Sequence, residues 1–440
     1  MDEDFEKWKN KNSYPRKYKH FDNPRKLDDV LDYLLKSENI AQHSFYPFLH
    51  FVKEQSKFKE GQKKSKKRKL YYCSHLDRYV YSYYAFKLNQ CYNAWADKEG
   101  LNESTVAYRT NLKKSTIHFA NSVFNKILKM EDANIFVGDF SDYFDNLDHR
   151  YLKNRLKSLL GVDELHNDYY AVFKNITCYS WVNLNELMNV FLGNDRFEKI
   201  RPYCKHKFKT ATENLQRLFT AEEFRVKVKP IIYKNRDFGI PQGSPISAVL
   251  SNIYLMDFDV QIKNFVTHIG GFYLRYCDDF IVVVPGSYPV KDLVGFIQSQ
   301  VKNIPRLILK DEKQQTLCFS KSQIKNGGQN TSLNFLGFSF DGQFVRLREK
   351  TIYRFYRRLY HKIATIKKQR SLGRKGGGTK NLYQQFSIKG AYPPQSDKNV
   401  KLRGNFFTYL HQVKKIMGKK FCETIERKHF RKIRRSLREI

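Results

Sequence analysis

The sequence predicts an α+β chain, a largely antiparallel sheet with helices on its faces followed by a basic helical region. Three observations predict it. Phe272–Tyr276 and Phe280–Val284 are short apolar runs separated by three residues, the pattern of a hairpin with Cys277 and Asp278 in its turn. Runs with helical spacing alternate with strand-like runs on both sides of that hairpin. Beyond Arg348, residues Ile352, Phe355, Leu359, Ile363 and Ile366 draw one apolar helical stripe, while Arg354, Arg357, Arg358, Lys362, Lys367 and Lys368 occupy the other faces.

Taken in order, residues 1–60 are mixed and aromatic and lead into the cationic run Lys63–Lys69, read as a solvated loop that attracts phosphate. From Ser74 to about Leu128, apolar residues recur at helical spacing through Tyr79, Tyr83, Phe86, Leu88 and Tyr92, and again through Ile117, Phe119, Val123 and Ile127. Breaks fall near Gly100 and Arg109. Asn134–Phe140 is β-like, and Asp148 is placed to cap a helix running through Leu160. Residues 161–228 read as helical and loop-rich, without a motif. After the hairpin come a helix over Lys291–Ile304 and strands at Leu307–Leu309 and Phe335–Phe340. Gly373–Gly404 is a long Gly-, Lys- and Pro-bearing connection, and Phe406, Leu410, Val413, Met417 and Phe421 mark a last helix.

The chain carries 80 Lys and Arg against 44 Asp and Glu, a formal charge of +36. Such an excess points to a polyanionic partner, most often nucleic acid, and an aromatic content of 15% offers flat faces for bases as well as a core. The seven cysteines are scattered without a Cys-x-x-Cys pair, which argues against a disulfide framework or structural zinc. No run approaches the length of a membrane span and the N-terminus lacks a secretory pattern, so the expectation is a cytoplasmic protein without a membrane partner.

Against that cationic background, the adjacent Asp278 and Asp279 stand out. Like charges side by side raise one another's pKa unless a cation neutralises them, and clustered carboxylates are ligands that Mg²⁺ accepts. A turn would explain an isolated pair, since Asp favours turns. The pair is not isolated: Asp139 ends the β-like run Val137-Gly138-Asp139-Phe140-Ser141-Asp142-Tyr143-Phe144-Asp145. Between them lies Gly239-Ile240-Pro241-Gln242-Gly243-Ser244-Pro245, a turn whose glycines admit another backbone, leading into a helix.

These three stretches resemble a reverse transcriptase palm. Asp139 to Asp145 resembles motif A, Gly239 to Leu250 motif B, and Tyr276-Cys277-Asp278-Asp279 the Tyr-x-Asp-Asp box of motif C. Asn334-Phe335-Leu336-Gly337-Phe338 is similar to the primer-grip turn and Glu312-Lys313 to motif D. The resemblance implies a right-hand polymerase: a helical N-terminal extension and start of fingers at 1–104, fingers and palm of antiparallel sheet plus helices at 105–345, and an α-helical thumb at 346–440. It implies two Mg²⁺ about 4 Å apart serving nucleotidyl transfer. Asp139 and Asp278 are then the shared ligands, helped by the carbonyl of Phe140. Strand alternation turns Asp279 a different way, into a supporting or less direct role. Phe144, five residues after Asp139, resembles the aromatic gate that rejects a ribose 2′-OH. Gln242, Arg109 and Lys113 fall among nucleotide-binding positions, Gly243, Ser244, Tyr276, Leu336 and Gly337 among template-primer positions, and Lys313 at that of a proton donor to pyrophosphate.

Within that family the chain is most similar to bacterial defence-associated reverse transcriptases, nearest to the stand-alone type 2 systems that copy a noncoding RNA. The implied partners are a noncoding RNA template, its cDNA product and dNTPs, with a monomer in an RNA complex. Alternatives are a retron-type enzyme, a template-independent DNA polymerase, an RNA-dependent RNA polymerase, which Phe144 disfavours, and a catalytically dead RNA-binding protein, which the intact Asp set disfavours.

Overall fold

The computed structural model describes residues 3–59, 62–193, 202–235, 237–373, 379–390, 404–418 and 435. Phe48–Lys59 (β1) and Gln62–Tyr72 (β2) pair antiparallel, from Leu49↔Tyr72 out to Lys59↔Gln62. The run Lys63–Lys69 is therefore part of a hairpin strand, which corrects its reading as a loop and places a hairpin inside the N-terminal segment read as helical. Charge reports exposure, whereas strand pairing is made by the backbone and tolerates lysines that project to solvent.

Helix His75–Lys98 (α1) begins at Ser74, whose hydroxyl accepts from the Asp77 amide at 3.2 Å. Thr116–Leu128 (α2) follows, and then Asp132–Asp139 (β3). His149–Leu160 (α3) is capped as its sequence predicts, with Asp148 accepting from the Tyr151 amide at 2.8 Å. Past helix Asn167–Thr177 (α4), Ser180–Asn183 (β4) runs parallel to β1, and Tyr233–Lys234 (β5) completes an outer sheet of order β2-β1-β4-β5. A four-residue strand paired so far away in sequence leaves no periodic signal of its own.

The chain then forms Ser247–Tyr254 (α5), Met256–His268 (α6), Phe272–Tyr276 (β6), Asp279–Pro285 (β7) and Val290–Lys302 (α7). Gln315–Ser320 (β8), Gln323–Asn326 (β9) and Gln329–Asn330 (β10) complete an antiparallel six-stranded sheet of order β10-β9-β8-β3-β7-β6. The strand expected at Leu307–Leu309 reduces to a single bridge between Leu309 and Phe140. Period-two alternation sorts this sheet's side chains. Phe136, Phe280 and Val282 join Leu250 and Ile253 of α5 and Phe258 and Ile262 of α6 in one core. Ile135, Ile281, Val283, Leu317 and Phe319 join Phe124 and Ile127 of α2 in the other. Each such fully buried side chain contributes on the order of 1.5–3 kcal/mol.

Leu333–Phe335 (β11), Phe338–Phe340 (β12) and Val345–Leu347 (β13) form a small sheet that leads into Glu349–Ser371 (α8). Phe355, Leu359, Ile363 and Ile366 are buried along α8, as the stripe requires. The long connection read after Gly373 contains a helix, Thr379–Phe386 (α9), anchored by buried Leu382 and Phe386 four residues apart. Phe406–Met417 (α10) buries Phe407, Leu410 and Val413. Phe421 and Cys422 lie outside the described residues. These helices share the second core, where Phe340 stacks on Phe124 with ring centroids 5.1 Å apart, so the C-terminal region packs onto the central sheet. Among the described residues no helix is long and apolar enough to cross a membrane.

Candidate active site

β3 lies between β7 and β8, and its last residue, Asp139, stands opposite Asp279, the first of β7. Asp278 occupies the turn before it. Ligand oxygens of all three carboxylates lie within 4.8 Å of one another. Asp139 is buried, Asp278 half-buried and Asp279 exposed. Main-chain bonds hold the junction: the Phe140 amide donates to Asp278 O at 3.2 Å and the Lys310 amide to Asp139 O at 2.9 Å. Alternation alone turns Asp279 away from Asp278, yet cross-strand register brings it to the cluster through Asp139.

Burial, followed by the charge of Asp139, raises the pKa of Asp278. Although Asp279 is exposed as a residue, its carboxyl is crowded into the cluster, and desolvation there, a hydrogen bond with Asp139 and the charge of Asp278 push it up to about 7. Lys313 Nζ pairs with Asp139 Oδ2, while the buried Asp139 Oδ1 has no hydrogen-bond partner. One ammonium, paired with Asp139, leaves three crowded carboxylates under-neutralised. Hard oxygen donors, mutual repulsion and an orphaned buried oxygen together fit a divalent cation.

The Gly239–Ser244 turn is locked to this site by its backbone. Gly239 has φ +81°, and a Cβ there would lie 2.5 Å from Asp145 O; the amides of Gly239 and Ile240 donate to Leu147 O and Phe144 O at 2.7 and 2.8 Å. Gly243 has φ +123°, and a Cβ there would lie 2.4 Å from Tyr71 O, while the Tyr71 amide donates to Gln242 O at 2.9 Å. Both positions need glycine for backbone conformation and for space. The turn thus joins the β2 end of the hairpin to the loop following Asp139. Ser244 is buried with its hydroxyl unpartnered, and Gln242 is half-buried. Phe144 is half-buried beside Tyr143, ring centroids 5.7 Å apart, and Phe140 points its ring into the core against Phe258 and Phe280. Tyr276 is half-buried at the end of β6, and Leu336 and Gly337 form the β11–β12 turn.

Arg109 is engaged within the protein. It is 3% exposed, and its guanidinium donates to Asn93 Oδ1 at 2.9 Å, Asn102 Oδ1 at 2.6 Å and Thr105 O at 3.1 Å. These donors fasten α1 to the turn that follows it. Lys113 is exposed, in a left-handed conformation. Lys66 is the cation the sequence did not single out: half-buried on β2, its pKa is lowered by burial and by neighbouring Lys310, Arg68 and Lys313. Its signal was the Lys63–Lys69 run, but only strand pairing decides which lysine is brought beside Lys310 and Lys313.

A second group missed in the sequence supports the Asp278 turn. Arg275, 1% exposed, donates from Nε and Nη2 to the two oxygens of buried Asp259 at 2.7 and 2.5 Å, and from Nη1 to Cys277 O at 2.9 Å and Asn252 Oδ1 at 3.1 Å. Tyr273 donates to Asp259 Oδ1 at 2.6 Å. The available signal was one arginine inside an otherwise uncharged strand, where a buried charge needs a partner.

Residues 197–340 match the family described as "Reverse transcriptase (RNA-dependent DNA polymerase)". The span includes the Gly239–Ser244 turn and the Asp278–Asp279 pair, and begins after Asp139. Solved structures similar to the chain include apo telomerase from Candida tropicalis, at 14% identity over 70% of this chain and 48% of that one with a TM-score of 0.41. Telomerase from Candida albicans, in complex with a TWJ fragment of telomeric RNA, is similar at 12% identity over 72% of this chain and 48% of that one, with a TM-score of 0.39. The chain spans about half the length of these telomerases.

Proposed function

We propose that the chain is an RNA-directed DNA polymerase. The observation that carries this reading is the convergence of Asp139, Asp278 and Asp279 at one end of the central sheet, tied through residues 144–147 to the Gly239–Ser244 turn. The match over residues 197–340 supports it. In this reading the central sheet with α5 to α7 is a palm, the β1–β2 hairpin belongs to the fingers, and α8 to α10 form a thumb, with divisions near residues 104 and 345.

Two Mg²⁺ ions held by Asp139, Asp278 and Asp279, with the Phe140 carbonyl as a further ligand, would supply Lewis-acid stabilisation of the attacking and leaving oxygens. Lys66, Lys310 and the exposed Lys113 offer ammonium groups to the triphosphate. Lys313 donates a proton to the departing pyrophosphate. The ring of Phe144 lies beneath the sugar and excludes a 2′-hydroxyl, while Gln242 contacts the incoming nucleotide. Gly243, Ser244, Tyr276, Leu336 and Gly337 hold template and primer. The finer part of the proposal is a dedicated noncoding RNA template, bound by the chain as a monomer in the cytoplasm, and a role in antiphage defence. A charge of +36 supports the RNA partner, since cations facing phosphates gain affinity by counterion release.

The test is to purify the protein with its native genomic neighbourhood at high salt, sequence retained RNA, then add dNTPs with Mg²⁺ and sequence the DNA. One enriched structured RNA and its complementary DNA support the reading. A random RNA population, or DNA unrelated to any enriched RNA, sinks the dedicated template. Equal incorporation by wild type and Asp278→Ala sinks the polymerase assignment.

A further inference from the structure

We propose that Tyr108 is a positioning residue for the metal-binding turn: its hydroxyl holds the Cys277 side chain so that Asp278 stays within reach of Asp139 and Asp279. The catalytic consequence rests on the polymerase reading, while the geometry does not.

Cys277 sits in the turn at φ +61°, a left-handed conformation uncommon for a residue with a side chain, and is 6% exposed. Two groups grip it from different directions. Arg275 Nη1 donates to its carbonyl at 2.9 Å, and Tyr108 Oη donates to its Sγ at 3.2 Å. Tyr108 is itself left-handed, at φ +63°, and its residue is 42% exposed. A bulky aromatic residue in that conformation persists only where its surroundings over-determine it. Here they do: Asn89 Nδ2 donates to Tyr108 O at 3.2 Å, and Asn252 Nδ2 donates to Ala107 O at 3.0 Å.

Asn252 also closes a circuit. Its Oδ1 accepts from Arg275 Nη1 at 3.1 Å, so the backbone that aims Tyr108 and the guanidinium that holds Cys277 share one amide side chain. The path Ala107–Tyr108–Cys277–Arg275–Asn252 returns to Ala107, with the residue before Asp278 inside it. Tyr108 is partly buried, so packing contributes to holding its ring, but burial gives no reason for its backbone conformation. Holding Cys277 accounts for that conformation: the left-handed backbone brings the hydroxyl to the Cys277 sulfur.

The test uses full-length protein carrying Tyr108→Phe, Cys277→Ala or both, with two readouts. One is steady-state DNA synthesis over a Mg²⁺ titration; the other is Mn²⁺ binding to nucleotide-free protein, followed by electron paramagnetic resonance. Tyr108→Phe should keep the wild-type Tm and dNTP KM, lower kcat roughly 3- to 10-fold, the worth of one hydrogen bond, and weaken Mn²⁺ binding several-fold. If Tyr108 acts through Cys277, the double variant loses no more than Cys277→Ala alone. Multiplying losses in the double variant, a raised dNTP KM with Mn²⁺ binding unmoved, or wild-type values throughout would each overturn the proposal. Should wild type make no DNA, the polymerase reading fails by itself, and the Mn²⁺ titration of the same variants still decides on Tyr108.

Discussion

The turn Cys277–Asp278 between β6 and β7 and the turn Leu336–Gly337 between β11 and β12 close hairpins of the same kind, sealed by Tyr276↔Asp279 and Phe335↔Phe338. In the first, only Cys277 takes a left-handed backbone; in the second, both Leu336 at φ +45° and Gly337 at φ +93° do. Positive φ at both central residues is the type I′ pattern, whose twist matches the strands and in which glycine is at home. Positive φ at the first alone is the type II′ pattern, where glycine is preferred and cysteine must be held. Side chains hold Cys277, through Arg275 and Tyr108, whereas Gly337 is tied by the Arg348 amide donating to its carbonyl at 3.1 Å. A turn that keeps a carboxylate beside two others is clamped by side chains. A turn that offers only a shape is held by backbone.

The largest expected effect breaks the charged turn. Asp278→Asn or Asp139→Asn should cut dNTP incorporation by roughly 10³-fold or more, the scale of losing a group that stabilises transition-state charge. Leu336→Ala in the other turn should cost less than about tenfold, because it removes a contact and no charge. Comparable losses at the two turns, measured on one primer–template, would erase the distinction.

The second effect is on stability. Arg275→Met leaves Asp259 buried and unpaired, and should destabilise the protein by about 3–5 kcal/mol in denaturant unfolding. Arg348→Ala should stay within about 0.5 kcal/mol, since its main-chain amide, not its side chain, ties the second turn. Combining Arg275→Met with Asp259→Leu should recover stability without recovering activity, because the Cys277 carbonyl still lacks its donor. Recovery of both would mean that Arg275 serves packing and not the turn.

Much of the charged turn was legible in the sequence, and little of what holds it. Asp139, Asp278 and Asp279 announce themselves because carboxylates between apolar runs are costly without a cation, and Gly239 and Gly243 because close backbone approach admits few residues. Arg275, Asp259, Asn252 and Tyr108 lie on β6, α6, α5 and the segment between α1 and α2, so their association exists only after those elements pack. The same physics governs which cations the sequence could single out. Among 80 of them, folding buries Arg109 among amides and carbonyls and sets Lys66 near Lys310 and Lys313, along a strand that charge alone made look like a loop.

The pH dependence sharpens the contrast further. With its carboxyl pushed up to about 7 from an ordinary 3.8, Asp279 should carry a proton in the folded, metal-free state that the unfolded chain has already lost. Between about pH 4 and 7 the folded state binds more protons, so this group's contribution to stability falls as pH rises through that window. Divalent-ion affinity should run the other way, rising towards pH 7 with proton release and then levelling, as calorimetry in buffers of different ionisation enthalpy can read. Asp279→Asn should flatten both curves and raise the metal-free Tm by about 1–2 °C. An unchanged pH profile in that variant would place the titration elsewhere.

The smallest effect belongs to the backbone-held turn. A Cβ at Gly337 would meet nothing within 4 Å, so Gly337→Ala introduces no clash and tests the φ of +93° alone. Alanine in a left-handed region costs about 1 kcal/mol, partly offset by the lower entropy of the unfolded chain. The expected result is a loss of up to about 1 kcal/mol in denaturant unfolding, with Mn²⁺ affinity unchanged, since among the described residues no side-chain hydrogen bond links this turn to the carboxylates. If Gly337→Ala instead weakens Mn²⁺ binding as Tyr108→Phe is expected to, the two turns are coupled through the core they share. The strain at Leu336 and Gly337 would then belong to the metal site, and the contrast between a clamped turn and a merely shaped one would not stand.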